Sequence, residues 1–149
     1  MVKIFLLSLL TIMHVSTTAS QNNSDAIIGR WMSTDNKIEV EIYKTGDEYK
    51  GRIIWLDDSN DKSRPMNTRT DKNNPNPALR TRKLIGLVVM TGLTYNAEQN
   101  DWQGGQIYDP ESGKQFSAKA YLTGNDYLKI RGFVGLEFLG KDLSFKKIL

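Results

Sequence analysis

The chain has 149 residues, with 20 Lys and Arg against 17 Asp and Glu, a formal charge of +3 and no cysteine. The basic excess is small and scattered, so it forms no stripe for nucleic acid. The lack of thiols excludes disulfides, thiolate metal sites and cysteine nucleophiles, and the single histidine, His14, lies near the N-terminus, in a stretch that reads as a cleavable signal.

Residues 1–20 have the parts of a secretory signal: Lys3, an apolar run over 4–13, then Ser16, Thr17, Thr18, Ala19 and Ser20. The competing reading is a membrane anchor, but the run is well short of the roughly 20 apolar residues needed to span a bilayer. No cysteine stands at the cleavage point to carry lipid. The expected product is exported to the periplasm or the medium, soluble and not membrane-spanning. Residues 21–26 are polar and read as a disordered lead, and residues 27–149 as a single domain.

From residue 27 onward the chain reads as short strands separated by turns. The first covers 27–34. Residues 37–44 alternate apolar and polar without a fault, the mark of a strand with one wet face. Thr45-Gly46-Asp47-Glu48 turns the chain into 49–56. A long connection, 57–83, follows, with one short helix predicted at Asn76-Pro77-Ala78-Leu79-Arg80-Thr81-Arg82, where Asn caps and Pro takes the first helical position. Further strands are predicted over 84–93, 101–108, 114–123, 126–134 and 141–148, with Asp109-Pro110-Glu111-Ser112-Gly113 and Gly124-Asn125 as turns. These eight strands imply an all-β antiparallel fold, either an open sandwich or an up-and-down barrel. Short sequential connections favour the barrel, and so does the need to protect strand edges without disulfides.

Gly29-Arg30-Trp31 resembles the Gly-x-Trp signature of lipocalin-type (calycin) barrels. Three longer stretches are more specific: Asp71-Lys72-Asn73-Asn74-Pro75-Asn76-Pro77-Ala78-Leu79-Arg80, Trp102-Gln103-Gly104-Gly105-Gln106-Ile107-Tyr108-Asp109-Pro110 and Arg131-Gly132-Phe133-Val134-Gly135. In this order they resemble the bacterial domain of unknown function 2147. The resemblance implies a lipocalin-like barrel in exported proteins and no particular activity. It also implies a barrel-closing group made of Gly29, Trp31, Phe145 and Lys147. Phe145 and Lys147 stand where the family pattern carries Trp and Arg, and Lys141 replaces another Arg, so Lys147 or Lys146 would cover Trp31 with a flexible point charge in place of a planar guanidinium.

If Trp31 marks the closed end, strand parity places the connections at 35–36, 57–83, 109–113 and 135–140 around the open one. Inward positions then include Ile38, Val40, Ile42, Gly51, Ile53, Trp55, Phe116, Ala118, Ala120, Leu128, Ile130, Gly132 and Val134. Two readings of the small residues among them compete: they leave a lumen for one small molecule, or they only accommodate the bends of the barrel. On the first reading Trp55, Tyr108, Phe116 and Val134 line the ligand site near the mouth. Arg80 or Arg82 orients an acidic head group there. On the bland reading Arg80 pairs with Asp71 or another loop acid and pins the long connection to the barrel.

Catalytic and metal chemistry find little support. Asp57-Asp58-Ser59-Asn60-Asp61 spaces oxygen ligands like half of a calcium loop, but Lys62 and Thr68 stand where Gly and an acid are required. There is no Gly-x-Ser-x-Gly and no phosphate-cradling glycine loop. The paired Glu39 and Glu41 lie on the wet face of their strand, outside any cleft. The expectation is therefore a binding protein, not an enzyme, with no cofactor and no metal, taking a small hydrophobic or amphipathic molecule in the lumen. The alternative is a protein-interaction or envelope-stress module that uses the mouth loops, with Phe133 and Leu136-Glu137-Phe138-Leu139 as contacts.

Overall fold

The computed structural model describes residues 23–148; the proposed signal over 1–20 lies outside them. Eight strands, β1 (Gly29–Ser33), β2 (Ile38–Thr45), β3 (Glu48–Leu56), β4 (Val88–Asn96), β5 (Asp101–Asp109), β6 (Lys114–Thr123), β7 (Tyr127–Phe133) and β8 (Lys141–Ile148), form a closed barrel in sequence order. Each pairs antiparallel with the next. The barrel closes between β1 and β8, with Trp31 opposite Lys147 and Ser33 opposite Phe145. Closure leaves no strand edge open to another chain.

Three local expectations change. The lead over 21–26 is not irregular throughout: Asn23–Ile27 is a 3-10 turn that buries Ser24 and Ile27. Two indoles account for it. Trp31 Nε1 donates to the Ile27 carbonyl at 2.9 Å and Trp102 Nε1 to the Ser24 carbonyl at 3.0 Å, and a buried indole N–H requires such an acceptor. β4 starts at Val88, not residue 84, because a turn closed by Leu87 N–H on the Leu84 carbonyl, with Gly86 at φ 86°, interrupts the apolar run. The short helix shrinks to one 3-10 turn, Pro77–Leu79, in which the Asn76 side chain accepts from Ala78 N as predicted, at 3.1 Å.

The closed end is packed solid. Trp31, Ile42, Tyr49, Leu93, Trp102 and Leu128 are almost wholly excluded from water, and Tyr49 meets Trp102 edge-on at 6.3 Å. Lys147 Nζ sits 5.3 Å from the centre of the Trp31 ring. Gly29, at φ +137°, holds a backbone shape that a side chain rarely adopts.

A bulge decides the mouth. Val40 pairs with Ile53 but Glu39 pairs with Trp55, so Ile54 is an extra residue in β3. Side-chain parity reverses across it. Leu56 turns inward opposite Ile38, and Trp55 is carried to the outer wall beside Glu39. Trp55 packs in neither apolar cluster of the barrel; its expected place in the lumen is corrected accordingly.

Candidate functional site

The lumen divides at Ala118. Below it the small inward residues leave no space, because neighbours fill it: a side chain at Gly51 would meet Met90 at 3.0 Å, and one at Gly105 would strike Leu93 at 2.6 Å. Ala118 and Ala120 are themselves buried. Above Ala118 the inner wall is half open. Ile38, Leu56, Ile107, Phe116 and Gly132 keep partial exposure, and Leu143, which faces inward opposite Ile130, is 49% exposed. A side chain at Gly132 would meet Ile107 at an ordinary 3.5 Å. The result is an apolar cup formed by inward side chains that keep partial exposure. Lys141, opposite Gly132, stands at its rim and forms no ion pair among the described residues.

The end of the long connection packs on the barrel mouth, Leu84, Ile85 and Leu87 meeting Ile38, Ile53 and Leu56, and its middle is anchored on the outer wall. Ile107 faces in opposite Phe116, so the next pair, Tyr108 and Gln115, faces out. Tyr108 O–H donates to Asp71 Oδ1 at 2.6 Å. Arg82 Nε and Asn74 Nδ2 each donate to Asp71 Oδ2 at 2.8 Å, and the Arg82 guanidinium lies 5.6 Å from the Tyr108 ring centre. Burial alone would raise the Asp71 pKa, but these three donors outweigh it and hold the carboxyl below its ordinary value. The Tyr108 hydroxyl is pushed up, first by burial and then by its hydrogen bond to the Asp71 carboxylate. Arg80 Nε donates to the Asn74 carbonyl at 2.7 Å. Asn73 Nδ2 donates to the Glu111 carbonyl at 2.6 Å, and Gly113, at φ +69°, lets the Asn73 backbone pass where a Cβ would collide.

Asp71 is thus the centre of a pin joining the β3–β4 connection to the β5–β6 turn. Both arginines serve it, Arg82 through the carboxylate and Arg80 through backbone, so the pairing with Asp71 considered for Arg80 belongs to Arg82. Of the other expected ligand residues, Phe116 faces the cup, and Tyr108, outward by register, packs with the Ile53, Leu87 and Val89 cluster. Val134 lies beyond the end of β7, 74% exposed, because β7 ends at Phe133 and the chain turns at Gly135, φ 71°. Residue-type reading passed over Leu143 and Lys141, whose inward direction follows only from the β7–β8 register. The Asp57–Asp61 carboxylates are engaged locally: Asp57 accepts from Ser59 N, Asp58 from Met66 N and Asp61 from Arg64.

Two clefts open on the outer wall. One, about 460 Å³, lies between the pinned connection (Asn74, Leu79, Arg82) and outward Val88, Thr91 and Gln106. The other, about 690 Å³, lies beside β1 and β8 between Met32, Thr34, Tyr127 and Lys146. Among the described residues no helix is long and apolar enough to cross a membrane.

A family model described as an uncharacterized protein conserved in bacteria, DUF2147, matches residues 29–147. The chain belongs to that family. Among solved structures the DUF2147 chain is similar to one described as protein HP1028 from the human pathogen Helicobacter pylori, which belongs to the lipocalin family. The likeness has a TM-score of 0.69 and 22% identity, covering 83% of each chain, and it establishes a lipocalin-like barrel. No curated protein matches the chain. In this DUF2147 barrel the motif stretches have distinct places: the Asp71 and Trp102 stretches meet at the pin, and Arg131-Gly132 forms part of the cup wall and the base of the β7–β8 connection.

Proposed function

We propose that this DUF2147 protein is an exported binding protein, not an enzyme, that takes the end of a small, mostly apolar molecule into the upper half of its barrel. The observation that carries the reading is Leu143, an inward apolar side chain left half in water with Ile107, Phe116 and Gly132 around the same opening. Covering exposed apolar surface stabilises a complex by roughly 25 cal/mol per Å², and an apolar recess with few polar groups at its rim is the usual form of a small-molecule site. An acidic head group would meet Lys141, since Arg80 and Arg82 are committed to the pin. The side chains of the cup keep partial exposure and its floor is solid, so the bound molecule keeps part of its length outside.

Titration with a dansyl-labelled fatty acid tests this. The unaltered protein is expected to enhance the dansyl emission, and Gly132→Phe, which fills the cup, to weaken binding about tenfold or more, equal to about 1.4 kcal/mol. Trp55→Ala, on the outer wall, leaves it unchanged. Equal binding by Gly132→Phe, or loss on Trp55→Ala alone, would overturn the assignment.

A further inference from the structure

Among the described residues, the connection between β7 and β8 exposes four large apolar side chains close together in the chain. Val134, Leu136, Phe138 and Leu139 are 74%, 57%, 74% and 68% exposed. Nonetheless, this connection is held in one shape. Arg131 Nε donates to the Glu137 carbonyl at 2.9 Å and Gly140 N to the same carbonyl at 2.9 Å, closing the 3-10 turn Glu137–Leu139. Arg131 is fixed in turn by Asp142 at 3.0 Å. Lys119 Nζ holds the Glu137 carboxylate at 3.3 Å while also meeting Asp101 at 3.1 Å. Lys119 and Arg131 alternate with inward Ala118, Ala120, Ile130 and Gly132, so the clamp lies on the outer wall. It neutralises the only acid of the turn and leaves the apolar side chains facing water. Four large apolar groups exposed together mark an interaction surface.

Charge on the same rim indicates the partner. Lys72, Arg80, Lys83, Lys114 and Lys141 lie on or beside the mouth connections and form no ion pair within the described residues. The carboxylates there without an ion pair are Asp57, Asp58, Asp109 and Glu111, of which Asp57 and Asp109 accept from backbone N–H two residues on and Asp58 from Met66 N. Lys62 and Arg69 on the same connection likewise form no ion pair among the described residues, so seven such cations stand against four carboxylates, and the rim presents apolar residues beside a small basic excess. A second copy suits it poorly: a stable interface buries about 800 Å² on each side, more than one turn of chain supplies, and two basic rims repel. Shallow insertion of a few apolar side chains beside attracted anionic head groups needs no larger surface.

We propose that the 134–140 connection docks the barrel, mouth first, on an anionic lipid surface. The proposal stands on the loop and the rim charge and does not require the cup to be occupied.

The test uses a chain beginning at Gln21, which contains every described residue and omits the apolar run over 4–13. Its sedimentation with vesicles of phosphatidylcholine and phosphatidylglycerol is compared with that on phosphatidylcholine alone. Binding is expected on the anionic vesicles, weaker in high salt. It falls about tenfold or more in the triple variant Leu136→Ser, Phe138→Ser, Leu139→Ser, since each tenfold is only about 1.4 kcal/mol, and falls again in Lys141→Glu. The triple variant changes only exposed side chains, and an unchanged circular dichroism spectrum verifies its fold. Equal sedimentation of the triple variant, no sedimentation of the parent, or a dimer that the triple variant abolishes would each overturn the proposal, the last by giving the loop to a second copy. Fatty-acid titration of the same samples separates the two readings: a parent that binds the dansyl probe but no vesicle defeats only the lipid surface, and one that binds vesicles but no probe defeats only the cup.

Discussion

Replacing Trp31 with alanine is expected to cost about 4 kcal/mol of stability, in the range for deleting a large buried aromatic, and to lower the melting temperature by roughly 15 °C for a domain of this size. Trp31 has no exposed surface, and its ring lies in the closed-end core with Ile27, Ile42 and Phe145. It also carries the hydrogen bond that holds the Asn23–Ile27 turn, through the Ile27 carbonyl. Trp31→Phe keeps most of the volume but loses that donor, so its cost is smaller, about 1 kcal/mol for the bond plus the lost ring area. Lys147→Ala removes only the cation above the ring, worth about 0.5–1 kcal/mol at a partly open site. Urea denaturation of the three variants ranks them. A Lys147→Ala loss as large as that of Trp31→Ala would mean that the cation, and not apolar burial, closes the barrel.

Asp71→Ala is the second large loss, about 3 kcal/mol. The carboxylate is wholly buried and accepts from Tyr108, Asn74 and Arg82, so its removal leaves three donors without their acceptor and frees the 57–87 connection. Limited proteolysis within 57–87 should accelerate along with the fall in denaturation midpoint. The pH dependence has a definite sign. The folded state holds the Asp71 carboxyl below its ordinary value, so the associated stability is complete above about pH 4, the unfolded carboxylate value, and fades as pH falls further toward the folded pKa. The difference between the parent protein and Asp71→Asn is therefore constant from pH 5 to 7 and narrows below pH 4. A gap that widened on acidification would show that the three donors do not stabilise the charged form.

The same pin shows how far the sequence reaches. Counting strands from Trp31 was enough to bring residues 71–82 and 109–113 to one rim, and there Asn73 reaches Glu111 and Asp71 reaches Tyr108. The partner choice was not legible. Arg82 takes the carboxylate because the chain doubles back, with Thr70 bridging Lys83 and Asp71 N–H bonded to the Arg82 carbonyl. Arg80 is left to the Asn74 carbonyl. No spacing rule within a loop distinguishes two arginines two residues apart.

Alternation of apolar and polar residues is a local signal, carried by each strand on its own. For that reason the eight strands were legible from residue pattern alone, whereas short connections only favoured a barrel over a sandwich, and the grouping of connections by end followed from taking Trp31 as the closed end. What faces the lumen was decided only by the tertiary structure, because it depends on pairing. One extra residue at Ile54 reverses every side chain after it and puts Trp55 outside and Leu56 inside. Space in the lumen depends on residues distant in the chain: Met90 and Leu93 fill what Gly51 and Gly105 vacate, while inward Leu143 stays half exposed. Order in the 23–27 lead likewise depends on indoles from β1 and β5 that must find acceptors once buried. These outcomes are set by contacts between segments far apart in the chain, and a periodic pattern within one segment does not contain them.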